Sequence, residues 1–303
     1  MDFSLIIPTY KREKILIATL RSAQIATAQY NSEIIIVNDS DEDINISKED
    51  LGNSIVINNA GKGVASARNS GAKVAKSDLL IFIDDDILIF KDNIETVLSL
   101  HAKFQSSCFN LNWTYPPKLI EKIKKKQFGR YLIRYNWTSL KGWHKGLHWR
   151  DNEMFESDMI ASFFLTIKKE DFDYLGGYNE VFPLAGAEDF EFAQRVKKSK
   201  IKGYCYPLST VYHNEADRTE PLHWLKRKEN AAKTRRIATN MGYHQMGINI
   251  NPFKKKLAAF GSKTLPIWYQ ALRLIPNLHI FDPVYNKIVN FLIVSHIHKG
   301  YHS

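Results

Sequence analysis

The chain opens with short apolar runs separated by segments of helical periodicity. Residues 3–7, 33–37, 54–57 and 79–83 are largely apolar, and each is followed by proline or a polar cluster. Such runs predict strands buried on both faces. Between them, residues 13–28 show an amphipathic helical pattern. Residues 64–75 read as a second helix, whose small side chains would let it lie close to a sheet. Continuous apolar strands joined by helices predict an α/β fold with a mainly parallel, Rossmann-like sheet flanked by helices. In such sheets ligands collect beyond the carboxyl ends of the strands. Pro8, Thr9 and Tyr10, then Asp39, Asn58 and Asn59, then Asp84, Asp85 and Asp86 all fall at those ends.

The second half is less regular. Residues 118–135 read as helical and basic, and 137–150 as an aromatic, glycine-containing loop. Residues 159–167 are strand-like, Gly176 and Gly177 mark a turn, and 188–198 form a helix. Residues 203–212 return as a strand that runs into His213. From Pro221 onward the pattern is helical and basic, punctuated by Pro252, Pro266, Pro276 and Pro283. The expected division is a domain over 1–220, in two parts 1–105 and 106–220, and a basic helical C-terminal extension over 221–303.

Charge sharpens this picture. The net formal charge is +10, but residues 118–150 hold ten Lys/Arg against Glu121 alone, and residues 221–263 hold ten against Glu229 alone. The remainder is acidic. Two basic segments on an acidic body fit an anionic partner or a membrane surface, and equally two solvated helical faces. With 44% hydrophobic and 12% aromatic residues, the 303-residue chain has ample material for a core. Cys108 and Cys205 are too few for a disulfide or zinc framework and suit a reducing compartment. No secretory signal and no run of about 18 apolar residues is visible. A cytoplasmic location is therefore expected, with the alternative of peripheral attachment to the inner face of the membrane.

Three clusters carry candidate chemistry. Three adjacent carboxylates at a strand end repel one another unless a cation offsets them, and Mn²⁺ or Mg²⁺ shared with diphosphate oxygens is the natural occupant. A solvated acidic turn is the plain alternative. Gly61 and Gly63 allow a tight turn into a helix whose N-terminus could face a phosphate. Ser66 stands where a dinucleotide loop would have its third glycine, and no Walker loop occurs. Finally, Glu188 and Asp189 open a helix, where the dipole favours them; a helix-terminal charge preference would look the same.

Taken in order, these segments resemble the inverting family 2 glycosyltransferases of GT-A fold. The resemblance rests on Ile6-Ile-Pro-Thr-Tyr10, Ile36-Val-Asn-Asp39 and the Asn58-Asn59…Ala67-Arg68-Asn69 segment. Ile83-Asp-Asp-Asp86, Leu175-Gly-Gly-Tyr-Asn-Glu180 and Glu188-Asp189 complete it. It covers roughly residues 3–215, and it implies that 1–220 is a catalytic domain in which 1–105 bind the nucleotide-sugar donor and 106–220 bind acceptor and carry the catalytic groups. It implies that Pro8, Thr9 and Tyr10 line the base and ribose pocket and that Asp39 contacts the nucleobase. Asn59 and Arg68 would close around ribose or phosphates, and Asp84 and Asp85 would lie near ribose and sugar. Asp86 is implied as a metal ligand, with His213 as a second. Asp189 would act as general base, with Glu188 positioning the acceptor or substituting for it. The implied reaction moves a sugar from a nucleotide-diphosphate sugar, with UDP favoured, to a glycan or lipid-linked glycan hydroxyl.

Trp137, Trp143, His144, His148 and Trp149 crowd one loop and suit either sugar stacking or core packing. The C-terminal basic residues interleave with Trp224, Phe253, Phe260, Trp268 and Tyr269, a composition suited to an anionic membrane surface. Helices packing on the catalytic domain would look similar. No nucleic-acid motif is present, so nucleic acid is not an expected partner. Two other readings stay open: a sugar-phosphate nucleotidyltransferase, and a non-catalytic carbohydrate- or membrane-binding protein on the same fold.

Overall fold

A computed structural model describes residues 1–144, 149–216 and 219–303. The chain begins β1 (Phe3–Thr9), α1 (Glu13–Thr27), β2 (Ser32–Asn38), α2 (Lys48–Leu51), β3 (Ile55–Asn58), α3 (Val64–Val74) and β4 (Leu79–Ile83). It continues through β5 (Ile87–Leu88), α4 (Lys91–Lys103), β6 (Ser107–Thr114), α5 (Pro117–Ile123), α6 (Gln127–Arg134), α7 (Leu140–Trp143) and β7 (Phe155–Glu156). Next come β8 (Phe164–Lys168), α8 (Lys169–Tyr174), α9 (Glu188–Lys198) and β9 (Lys202–His213). Four further helices follow: α10 (Pro221–Asn240), α11 (Pro252–Lys263), α12 (Leu265–Leu274) and α13 (Asp282–His302).

The strands form one mixed sheet in the order β3-β2-β1-β4-β8-β6-β9-β5, with β7 also pairing with β9. β1 pairs in parallel with β2 and β4, and β2 with β3, as continuous apolar strands require. β8 enters antiparallel between β4 and β6, so the parallel order expected from the first hundred residues does not run across the whole sheet. β1 is buried along its full length. The small face of α3 lies hard against it: a Cβ built on Gly71 would fall 2.4 Å from Cγ2 of Ile6. The core on this side joins Ile6, Ile35, Leu80 and Phe82 of the sheet to Phe172, Tyr178 and Phe192.

Two compact units result. One comprises residues 1–116, 139–183 and 188–214; the other comprises 117–138, 184–187 and 215–303. The first contains the sheet. The second gathers α5 and α6 with the C-terminal helices: Arg130 is bidentate to Asp282 at 2.7 Å, and Tyr131 donates to Asn290 at 2.7 Å. Trp137 belongs to this second unit, against Trp224, whereas Trp143 packs against Trp113 and Phe163 in the first. His148 lies outside the described residues. Among the described residues, no helix is long and apolar enough to cross a membrane.

Candidate active site

The carboxyl ends of β3, β2, β1 and β4 lie side by side because those strands are adjacent in that order and parallel. Asp39 follows β2 and holds the glycine turn that follows β3. The Gly63 N–H donates to both Asp39 oxygens at 2.9 and 3.0 Å, and Asn59 Nδ2 donates to Oδ1 at 2.6 Å. Gly63 has φ 90°, and a Cβ there would meet the Pro183 carbonyl oxygen at 2.8 Å, so the turn needs glycine. Asp39 and Asn59 thus meet as expected, and in doing so they fix the entrance to α3.

The three aspartates divide. Asp84 accepts a bond from Arg68 Nη2 at 2.8 Å. Asp85 accepts from Thr9 Oγ1 at 2.8 Å, and its carbonyl accepts from Thr19 at 2.8 Å. Arg12, at the start of α1, pairs with Asp85 and, at 2.9 Å, with Asp86. Its guanidinium offsets part of the repulsion among the aspartates. Pro8 is buried in β1 and Tyr10 is 58% exposed, so of the first three expected donor residues only Tyr10 opens fully to solvent.

Asp86 and His213 meet through strand pairing. β5 runs antiparallel to the end of β9 with Ile87 opposite His213, which sets the preceding residue, Asp86, against the histidine. His213 Nε2 lies 3.1 Å from Asp86 Oδ1, both side chains buried. The imidazole is boxed by Trp113, Tyr115 and Phe163. Glu215 follows two residues later, the first residue past the boundary of the sheet-containing unit, so the strand that delivers His213 also delivers it. One ligand atom from each of Asp86, His213 and Glu215 lies within 4.8 Å of the others, and all three residues are buried. A set of carboxylate oxygens and an imidazole nitrogen fits a divalent ion, and the nitrogen favours Mn²⁺ over the harder Mg²⁺.

The second carboxylate group sits at the N-terminus of α9. Glu188 approaches Arg68 Nη1 at 3.3 Å and Asp189 approaches it at 3.8 Å. Arg68, on the buried face of α3, therefore joins Asp84 to both. Burial works against its charge, but Asp84, then Asp189, Tyr178 and Glu188, outweigh it and raise its pKa above the ordinary arginine value. Asp189 is further held by Ser162, whose N–H donates to Oδ2 at 3.1 Å and whose hydroxyl donates to Oδ1. Burial pushes the Asp189 carboxyl up; Arg68 and the Ser162 bonds pull it down, Asp84 pushes up again, and the net shift is upward.

Asp39, Asn59, Arg68, Thr9, Asp84, Asp85, Asp86, His213, Glu188 and Asp189 fall into three local groups: the glycine turn, the Asp84–Asp86 strand end, and the α9 N-terminus. Arg12, Ser162 and Glu215 were not foreseen. Only Glu215 carried a usable signal, a carboxylate two residues past a histidine at a strand end.

A sequence model described as Glycosyl transferase family 2 matches residues 4–165, and one described as N-terminal domain of galactosyltransferase matches residues 152–217. An uncharacterized glycosyltransferase of Haemophilus influenzae is 30% identical over 124 residues, 40% of this chain and 40% of that protein. The chain thus spans about two fifths of that relative. Two solved structures share the fold. One is the mannosyltransferase PcManGT from Pyrobaculum calidifontis with GDP-Man and Mn²⁺ (TM-score 0.59, 12% identity, 100% of this chain and 88% of that). The other is GalNAc-T7 with UDP, GalNAc and Mn²⁺ (TM-score 0.53, 18% identity, 70% of this chain and 42% of that).

Proposed function

This chain belongs to glycosyl transferase family 2, and we propose that within it the chain is an inverting, metal-dependent transferase. It moves a sugar from a nucleotide-diphosphate sugar, a UDP-sugar by preference, to a hydroxyl of a glycan or lipid-linked glycan. The observation that carries this reading is the buried Arg68, which joins Asp84 on the donor side to Glu188 and Asp189 on the acceptor side. A single guanidinium thereby sets the spacing between the two halves of a transfer site.

Pro8, Thr9, Tyr10, Asp39, Asn59, Arg68, Asp84 and Asp85 form the donor cradle in this reading. Tyr10, exposed, faces the base; Asp39 and Asn59 act by fixing the glycine turn; Thr9 and Arg12 hold Asp85. Asp86, His213 and Glu215 would hold Mn²⁺ or Mg²⁺, which supplies positive charge against the leaving diphosphate. The solved relatives with Mn²⁺ support that choice.

Asp189 takes the proton of the acceptor hydroxyl as its oxygen bonds to the anomeric carbon. Attack comes from the face opposite the diphosphate, whose bond to that carbon breaks, so configuration inverts. A carboxyl raised by burial is a stronger base than an exposed aspartate, and Ser162 fixes its direction. Glu188, buried beside Arg68, positions the acceptor. Two buried free thiols, Cys108 and Cys205, raised to about 12 by burial, suit a reducing, cytoplasmic setting.

The test is Asp189→Asn. Donor affinity should survive, because asparagine keeps the size of Asp189 and its oxygen can still accept from Ser162, while transfer should fall by about 10³-fold or more. Full transfer by the variant would reject Asp189 as the base.

A further inference from the structure

The transfer reaction makes no use of the apolar side chains exposed on the C-terminal helices, and on α11 they are arranged with the bulky residues outward. Its buried side is Ala258 and Gly261. Gly261 is so close to α13 that a Cβ would fall 2.5 Å from the Phe291 ring and 2.0 Å from Ser295 Oγ. Phe253, Leu257 and Phe260, at i, i+4 and i+7, share another face and are 75%, 44% and 57% exposed. A helix stabilised only by its own unit would turn its bulky residues inward and its small ones to water. Three in-line exposed apolar side chains mark a surface meant to be covered.

Charge says by what. Lys254, Lys255 and Lys256 stand on the same helix, all exposed. From residue 230 to 303 there are ten Lys/Arg and a single acid, Asp282, which Arg130 already holds. The unit that contains α11 carries 21 Lys/Arg against six Asp/Glu, a net +15, while the sheet-containing unit is net −5. A second copy would bring two such cationic surfaces together. An anionic bilayer instead offers an apolar layer for the stripe and phosphates for the lysines, whose stems can reach from the helix flank to the headgroups.

We propose that α11 docks this protein on an anionic lipid bilayer, with the Phe253–Leu257–Phe260 stripe lying in the interface and Lys254 and Lys256, to either side of it, at the lipid phosphates. The inference is independent of the transfer reaction.

Sedimentation of the full chain with vesicles tests it, using phosphatidylcholine alone and phosphatidylcholine mixed with phosphatidylglycerol, at low and high salt. The wild type should bind the mixed vesicles and be released by salt. A variant with Phe253→Ser, Leu257→Ser and Phe260→Ser should bind at least about tenfold more weakly with an unchanged melting temperature, since those side chains are exposed. Lys254→Gln and Lys256→Gln together should weaken the preference for phosphatidylglycerol. Three results would overturn the proposal: no binding of the wild type to mixed vesicles, undiminished binding by the serine variant, or a wild-type dimer that the serine variant converts to monomer.

Discussion

Ser162 grips Asp189 by both carboxylate oxygens, one through its N–H and one through its hydroxyl, and the same hydroxyl meets the Tyr178 phenol. In Ser162→Ala the N–H bond remains and the hydroxyl bond is lost. A hydrogen bond to a charged group contributes about 1.5–3 kcal/mol, so kcat should fall about ten- to a hundredfold with donor KM unchanged. The pH profile separates this from a folding defect. The Ser162 bonds lower the Asp189 pKa, so their loss raises it further. Transfer needs the ionised carboxylate, and activity is lost as pH falls through that pKa; the acid limb should therefore move to higher pH in the variant. An unmoved limb would show that Ser162 does not act on the base. At this scale the sequence exposed the acidic members, which cluster at strand and helix ends. It hid Arg12 and Ser162, whose partners lie 73 and 27 residues away and leave no local pattern.

Among the elements, β1, β2 and β4 were legible because their apolar runs are buried on both faces, whereas β3 showed the same apolar run but lies at the sheet edge with Ile55 and Val56 exposed. β6 was not legible, since Asn110 and Asn112 interrupt it. The structure explains the first: Asn110 donates to the Ala161 carbonyl at 2.7 Å and accepts from the Ala161 N–H at 3.0 Å, pairing that exists only after folding. The strand expected over 159–167 begins at Phe164 instead, because the residues before it turn to present Ser162 to Asp189. α4 also escaped notice, and it carries a titratable group that ties it to the sheet. His101 Nε2 lies 2.9 Å from Thr166 Oγ1 of β8. Burial, with a smaller push from Lys168, lowers its pKa to about 4. The folded pKa is thus depressed below the unfolded value near 6.5. The neutral ring's contribution, on the order of 3 kcal/mol, is present above that value and lost as pH falls toward the folded pKa. Urea unfolding at pH 7 and at pH 4.5 should show His101→Gln losing less stability on acidification than the wild type. Equal losses would contradict a buried neutral histidine.

Across the whole molecule, the sequence revealed the acidic body and the two basic segments, but not that most of the first basic segment folds into the same unit as the second. Residues 118–135 looked like part of a catalytic domain by position. In the structure 117–138 fold with the C-terminal helices, through Arg130 with Asp282 and Tyr131 with Asn290, contacts more than 150 residues apart. Long-range pairing of this kind has no local signature. The sheet-containing unit supplies the acidic strand ends, and the helical unit holds the cationic surface assigned to the bilayer. The central claim, metal-dependent binding of a nucleoside diphosphate at Asp86 and His213, is tested most directly by thermal unfolding of the full chain with UDP, GDP and their sugars, each with and without Mn²⁺. The account predicts that one nucleoside diphosphate, UDP by preference, raises the midpoint only when Mn²⁺ is present, and that His213→Gln removes the rise. No shift with any nucleotide, or the same shift in the variant, would contradict it.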